Sequence, residues 1–253
     1  MIRRIFLTVL AVSLCLAASA AAQWTPPKSL TWYWQLQGTP KIQPVQASDF
    51  DGFDNSAATV AKFHAAGQKA ICYIDVGTWE NWRSDAGKFP ASVKGATNGW
   101  PGERWLDVRQ IATLAPIMSA RFQMCAAKGF DAVEPDNMDG WENSTGFPIS
   151  GAQQIAYNKW VAQAVHAVGL AVFQKNDPEQ AGSLQPSFNG VIDEQCNQYS
   201  ECNLLTPYLT AGKPVLDAEY RGYPGFCAAD AKAGIMGALF NTALDGRVFK
   251  HCW

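Results

Sequence analysis

The chain has 253 residues, 48% of them hydrophobic and 17% charged, which is enough to build one large core and too apolar for a disordered tail. The formal charge is −2 and no Lys/Arg cluster stands out, so nothing points to nucleic acid as a partner. That length is also the usual size of a single-domain α/β barrel.

Residues 1–22 read as an export leader. Met1-Ile2-Arg3-Arg4 is a basic start, residues 5–16 are apolar, and Ala18-Ser19-Ala20-Ala21-Ala22 offers small-residue cleavage sites. The apolar run falls short of the roughly 20 residues a membrane span needs, and Cys15 lies inside it rather than at a lipoprotein cleavage site. The expected product is a secreted chain, extracellular, periplasmic or at the cell surface, with residues 23–253 as one domain and no membrane contact after cleavage. Without Arg3 and Arg4, 18 basic residues face 22 acidic ones, a mature charge of about −4 that suits a neutral or cationic ligand.

Residues 30–36 alternate and are aromatic, which predicts a first strand. Residues 53–66 have helical composition, and residues 69–76 form a second strand. Residues 77–104 make a long excursion rich in Trp, Gly and Pro, holding Trp79, Trp82, Trp100 and Arg83; a structureless loop of such length is usually functional. Residues 105–108 are read as a third strand, followed by a helix whose main segment Pro116 opens. A fourth strand enters through Gly129-Phe130-Asp131-Ala132 and runs into Val133-Glu134-Pro135-Asp136-Asn137-Met138-Asp139. Residues 150–168 place Tyr157, Val161, Ala164, Val165 and Val168 at helical spacing. Residues 170–173, 189–192, 214–216 and 234–240 supply strands five to eight. Gly67, Gly129, Gly169 and Gly212 each close a helix and precede a short apolar strand, as glycine does at a left-handed helix end. That rhythm predicts a parallel sheet of βα units. No GxGxxG follows the first strand, so the expected fold is a (β/α)8 TIM barrel, irregular at its last unit because little chain remains for an eighth helix.

Every predicted strand turns polar as it ends: Trp34, Gln35 and Gln37; Tyr73 and Asp75; Asp107; Glu134, Asp136, Asn137 and Asp139; Lys175, Asn176 and Asp177; Asp193, Glu194 and Gln195; Asp217, Glu219, Tyr220 and Arg221; Asn241. Barrel enzymes carry their chemistry on that face. Other readings compete for single members. Asp107 and Asp177 suit helix N-caps equally well, and Lys175 suits plain neutralisation of nearby acids. Asp193 suits a structural role, because Glu194 beside it points to the opposite face of the strand. The tryptophans suit a core individually, and a sugar-stacking platform as a group. His64 and His166 fall within helices and suit packing. No GxSxG or HExxH occurs, so serine-nucleophile and zinc-protease chemistries lack their parts and no cofactor is expected. Carboxylate chemistry remains. One acid on strand four and one on strand six would flank a glycosidic bond, at a spacing that fits either stereochemical outcome.

Six cysteines remain beside Cys15, and in an exported chain they suggest disulfides in one of 15 pairings. Proximity favours Cys196–Cys202. The expected partners otherwise are Cys72–Cys125 and Cys227–Cys252.

Cys72-Tyr73-Ile74-Asp75-Val76-Gly77-Thr78-Trp79-Glu80, residues 100–107, Gly129 to Asn137, Lys175-Asn176-Asp177, Glu194-Gln195-Cys196 and Glu219-Tyr220 resemble, in order, glycoside hydrolase family 114, the endo-α-1,4-polygalactosaminidases. The resemblance implies a TIM barrel that hydrolyses α-1,4-linked galactosamine in a microbial exopolysaccharide of the kind that builds biofilms, with Asp136 and Glu194 as its catalytic carboxylates. By analogy with related retaining barrels, Asp136 would be the nucleophile and Glu194 the acid/base. Trp34, Tyr73, Asp75, Trp79, Glu134, Asn137, Asp139, Lys175, Asn176, Gln195, Glu219, Tyr220 and Arg221 would contact a cationic or partly N-acetylated polymer, and the chain is expected to act as a monomer. A barrel that binds glycans without cleaving them, or a hydrolase for another α-linked sugar, are the competing functions.

Overall fold

The computed structural model describes residues 23–253; the expected leader lies outside them. Nine strands form one sheet. In sheet order they are β1 (Trp32–Trp34), β2 (Ala47–Asp51), β3 (Lys69–Asp75), β7 (Ala132–Asp136), β8 (Ala171–Lys175), β9 (Gly190–Glu194), β10 (Val215–Glu219), β11 (Met236–Phe240) and β12 (Phe249–His251). The first eight pair in parallel, and β12 runs antiparallel to β11. A separate antiparallel sheet joins β4 (Thr78–Glu80), β6 (Glu103–Leu106) and β5 (Lys94–Thr97). The long helices are α1 (Ala57–Ala65), α2 (Ile111–Lys128) and α3 (Gly151–Ala167). Four short ones follow: α4 (Ala181–Leu184), α5 (Cys196–Tyr199), α6 (Thr206–Thr210) and α7 (Cys227–Ala233). No helix among the described residues is long and apolar enough to cross a membrane.

The sheet curls into a TIM barrel that is nearly closed. Between β11 and β1 the seam is held by side chains and loops: Trp32 Nε1 donates to Met236 O at 2.8 Å, and the Leu36 and Gln37 amides donate to Leu244 O. The Trp32 and Trp34 rings lie against Phe240. Strand parity divides the apolar residues into two cores. Trp32, Ile71, Ala132, Phe173, Ile192, Leu216 and Met236 fill the inside. Cys72, Val133, Val172, Val191 and Val215 face outward onto Phe63, Phe122, Val161 and Val165 of the helices. A period of two therefore decides which residues of each strand can reach the barrel mouth.

Two strand assignments need correction. The second barrel strand is β2, Ala-Ser-Asp-Phe-Asp, whose acidic and small residues hide it from a propensity reading, and the segment read as the second strand, residues 69–76, holds the third, β3. The segment read as the third strand belongs to β6, in the antiparallel side sheet; the total of eight stood because one error offset the other. Residues 77–104 are accordingly built rather than structureless. Pro116 lies inside α2, not at its start. The helix expected from residue 53 begins at Ala57, because Ser56 accepts the Thr59 amide and caps it there. After β11 no eighth helix forms, and β12 covers that strand instead. The three disulfides are Cys72–Cys125, joining β3 to α2, Cys196–Cys202 and Cys227–Cys252.

Candidate active site

A cleft of about 950 Å³ opens at the C-terminal ends of the barrel strands. Three neighbouring strands finish in an inward-facing charged residue: Asp136 on β7, Lys175 on β8 and Glu194 on β9. Each shares parity with an interior residue of its own strand (Ala132, Phe173, Ile192). Each is followed at once by a left-handed residue: Asn137 (φ 59°), Asn176 (φ 48°) and Gln195 (φ 68°). Such a residue turns the chain sharply at the strand end, at some conformational cost, and here it brings a polar side chain over the mouth. The β7–β8 pairing stops at Val133, ahead of Pro135, which has no N–H to give. Beyond it the two strands are joined by the side chains of Asp136 and Lys175.

The Lys175 ammonium is the hub. Its Nζ lies 2.8 Å from Asp136 Oδ1, 3.0 Å from Glu194 Oε2 and 3.3 Å from Glu134 Oε1, and it sits 4.7 Å from the centre of the Trp34 ring. Lys175 and Glu134 are buried, whereas Asp136 and Glu194 keep 19% and 25% of their side chains exposed, so the latter two can meet a ligand. The second Asp136 oxygen accepts the Tyr73 hydroxyl at 2.9 Å and the Asn137 amide at 3.4 Å. Glu194 accepts Asn176 Nδ2 at 3.2 Å and the Tyr220 hydroxyl, while its own amide donates to Asn176 Oδ1. Burial works against the charged form of Asp136. The Lys175 ammonium and the hydrogen bonds from Lys175 and Tyr73 outweigh it and hold this carboxyl below its ordinary value. Burial pushes Glu134 up to about 7 against the opposing pull of Lys175. The same cause, joined by Asp136, raises Asp139. Burial, then the neighbouring carboxylates, keep the Tyr73 and Tyr220 phenols neutral.

Among the residues expected at the site, Trp34, Tyr73, Asp136, Asn137, Asp139, Lys175, Asn176, Glu194, Gln195, Tyr220 and Arg221 line the cleft. Four do not. Asp75 is buried, and its oxygens receive the amides of Gly77 and Thr78, the Thr78 hydroxyl and Asn137 Nδ2. It knots the β3–β4 turn to the loop after β7, where a Cβ on Gly77 would stand 1.6 Å from Asn137 O. Trp79 donates to Ala86 O and carries Lys94 on its ring. Glu134 lies under Lys175. Glu219 accepts the amides of Asn197 and Gln198 and faces a smaller hollow of about 370 Å³ beside the cleft. Asp107 and Asp177 are not side-chain caps: Asp107 pairs with Arg109, and Asp177 receives Trp141 and Asn158. His64 and His166 bond to Asp131 and Asn189 outside the cleft.

The cleft also contains Trp100, Glu103 and Trp105 from the side-sheet insertion, Asn143 from a loop, Gln198 from α5, and Thr242 to Leu244 after β11. Glu103 had no strand-end signal to mark it, because it enters from β6, outside the barrel. Three groups of possible metal ligands occur among the described residues. In one, Cys196 is tied up in a disulfide. In the other two, Asp75 and Asp177 are already filled by protein donors. The cleft can therefore offer one ionised carboxylate, a second carboxyl across the same ammonium, and aromatic walls, which is the equipment for cleaving a glycosidic bond.

Comparison with known proteins agrees with this equipment. The family model for glycoside-hydrolase family GH114 matches residues 14–252. The crystal structure of Aspergillus fumigatus Ega3 in complex with galactosamine is 30% identical and superposes with a TM-score of 0.85, covering 92% of this chain and 98% of that one. The glycoside hydrolase domain of PelA from Pseudomonas aeruginosa shares the fold, with a TM-score of 0.66 at 14% identity over 87% of this chain and 97% of that one. A protein of Deinococcus radiodurans is 26% identical over 261 residues, covering 87% of this chain and 83% of its own.

Proposed function

The chain belongs to glycoside-hydrolase family GH114, and from that premise we propose that it is an endo-acting hydrolase of α-1,4-linked galactosamine polymers, with Asp136 as nucleophile and Glu194 as acid/base. The observation that carries the reading is the shared ammonium. Because Lys175 Nζ touches both acids, the two oxygens it meets are no farther apart than about 6 Å, nearer the roughly 5–5.5 Å spacing of retaining enzymes than the roughly 6.5–9.5 Å of inverting ones.

In this mechanism Asp136 attacks the anomeric carbon while Glu194 protonates the departing glycosidic oxygen, leaving a glycosyl ester on Asp136. Glu194 then takes a proton from water, whose oxygen attacks the same carbon and frees Asp136. Two inversions return the α configuration. Lys175 and Tyr73 keep Asp136 ionised and aimed, and Asn176 and Tyr220 fix Glu194. Asp136, Glu194, Asp139 and Glu103 outnumber Lys175 and Arg221 around the cleft, and an ammonium-bearing sugar gains charge-assisted hydrogen bonds there that a neutral one lacks. Galactosamine bound to Ega3 supports the same sugar for this chain. Three disulfides support export after loss of residues 1–22. The proposed product is a secreted, single-domain monomer acting on exopolysaccharide.

The test is release of reducing ends from a partly deacetylated α-1,4-galactosamine polymer. Asp136→Asn and Glu194→Gln each lose about 10²–10⁴-fold in kcat with unchanged circular dichroism. Near-normal turnover in both variants contradicts the assignment. Binding without release in the wild type would favour the non-catalytic reading.

A further inference from the structure

Beneath the cleft floor lies a pair of acids that the proposed chemistry leaves unused. Asp49 is the middle residue of β2 and Glu134 the middle residue of β7. The two strands flank β3, and both side chains share parity with residues of the inner core, Ala47 and Ala132. Asp49 is 1% exposed and Glu134 0%. The two inward carboxyls lie on either side of β3, where Asp49 pairs with Ile71 and Glu134 with Tyr73, and each acts on the other as a hydrogen-bond partner. None of their four oxygens accepts a hydrogen bond from another described residue, Lys175 Nζ standing 3.3 Å from Glu134 Oε1 as an ion pair only. The charged groups acting on the pair are Lys175 from β8, Asp136 from β7 and Glu194 from β9. β1 and β3 bring Trp34 and Tyr73, and Tyr73 is held in its neutral form.

Two facing carboxylates in a dry interior cannot both ionise beside only one cation, and neither can stay buried without a donor. A proton between them meets both demands, giving one O–H donor and one acceptor. We propose that Asp49 and Glu134 keep at least one proton between them across the working pH range and act as a positioning pair for Lys175. With no more than one negative charge below it, the ammonium stays at 2.8 and 3.0 Å from Asp136 and Glu194 rather than settling on the floor, where Glu134 now lies at 3.3 Å. A doubly charged floor would draw Lys175 down and release both upper acids. Burial raises both members of the pair. Glu134 raises Asp49 further, and the hydrogen bond from Asp49 pulls Glu134 back down, which agrees with a coupled dyad. The positioning half of this proposal rests on the reading of Asp136 and Glu194 as catalytic; the proton-sharing half does not.

The test has two arms. In the first, infrared difference spectra compare the wild type with Asp49→Asn at about pH 8, where an ordinary carboxyl is ionised. The amide that this substitution introduces would donate to Glu134, so the variant needs no shared proton. A protonated-carboxyl C=O band present in the wild type and lost in the variant is expected, and its absence from the difference overturns the proposal. This arm needs no substrate, so it stands or falls apart from the function. In the second, Asp49→Asn keeps kcat within about threefold, while Asp49→Leu, which leaves Glu134 with Lys175 as its one nearby donor and so draws the ammonium toward the floor, lowers kcat about 30-fold or more with KM nearly constant. Wild-type turnover in the leucine variant, or an equal loss in the asparagine variant, overturns the positioning role.

Discussion

Replacing Lys175 by methionine keeps most of the side chain's volume and removes the ammonium that Glu134, Asp136 and Glu194 share. At an effective dielectric constant of 20, unit charges about 3 Å apart interact by roughly 5–6 kcal/mol, equivalent to about 4 pKa units as an upper bound. Two features of the site reduce that figure. Asp136 keeps 19% of its side chain in contact with water, and Glu134, already raised to about 7, takes up a proton once the cation is gone. A rise of about 2 units for Asp136 is therefore expected. In the wild type Asp136 is held below its ordinary value. Its stabilising contribution is present above the unfolded carboxylate value and is lost as pH falls through the lower folded one. The variant gives up that contribution, and it also leaves buried acids without their partner, for a total loss of about 3 kcal/mol, at the low end for a broken buried ion pair. The assays are urea unfolding at neutral pH and the pH profile of kcat/KM. The acid limb should move up by about 2 pH units. A folded variant whose acid limb coincides with that of the wild type would refute the argument that Lys175 sets the charge on Asp136.

Other consequences can be measured separately. Trp100 is 63% exposed at the cleft rim, so Trp100→Ala should raise KM for polymer about tenfold, or about 1.4 kcal/mol, with kcat nearly unchanged; an equal fall in kcat would mean that the ring also orders the catalytic groups. Cys72 and Cys125 are fully buried and close a loop of sequence separation 53. Replacing both with alanine should cost about 4 kcal/mol by loop entropy, read as a lower denaturation midpoint, and an unchanged midpoint would contradict a stabilising role for that bridge.

Much of the site was legible because it sits at the ends of parallel strands, where a two-residue period fixes direction. Ala132, Glu134 and Asp136 share one face, and so do Ile192 and Glu194, which separates Glu194 from the outward Asp193 without any coordinates. Gly67, Gly129, Gly169 and Gly212 all have φ between 71° and 89°, as helix-ending glycines should. What sequence did not reveal lies where local signals mislead. The β2 sequence Ala-Ser-Asp-Phe-Asp lacks the β-branched run that marks a strand, which conceals Asp49 although its side chain is inside the barrel. Glu103 reaches the cleft from an insertion whose strands pair only with one another. Asp75 and Glu219 have the right residue type and position along the chain, but nearby backbone amides already occupy them, and only tertiary geometry reveals that.

Double displacement by Asp136 and Glu194 at an α-1,4-galactosaminidic bond fixes which anomer is released first. Proton NMR of the first reducing ends released from the polymer, recorded before mutarotation, tests it most directly. The α anomer appearing first is the predicted result. The β anomer appearing first would contradict the nucleophilic role of Asp136.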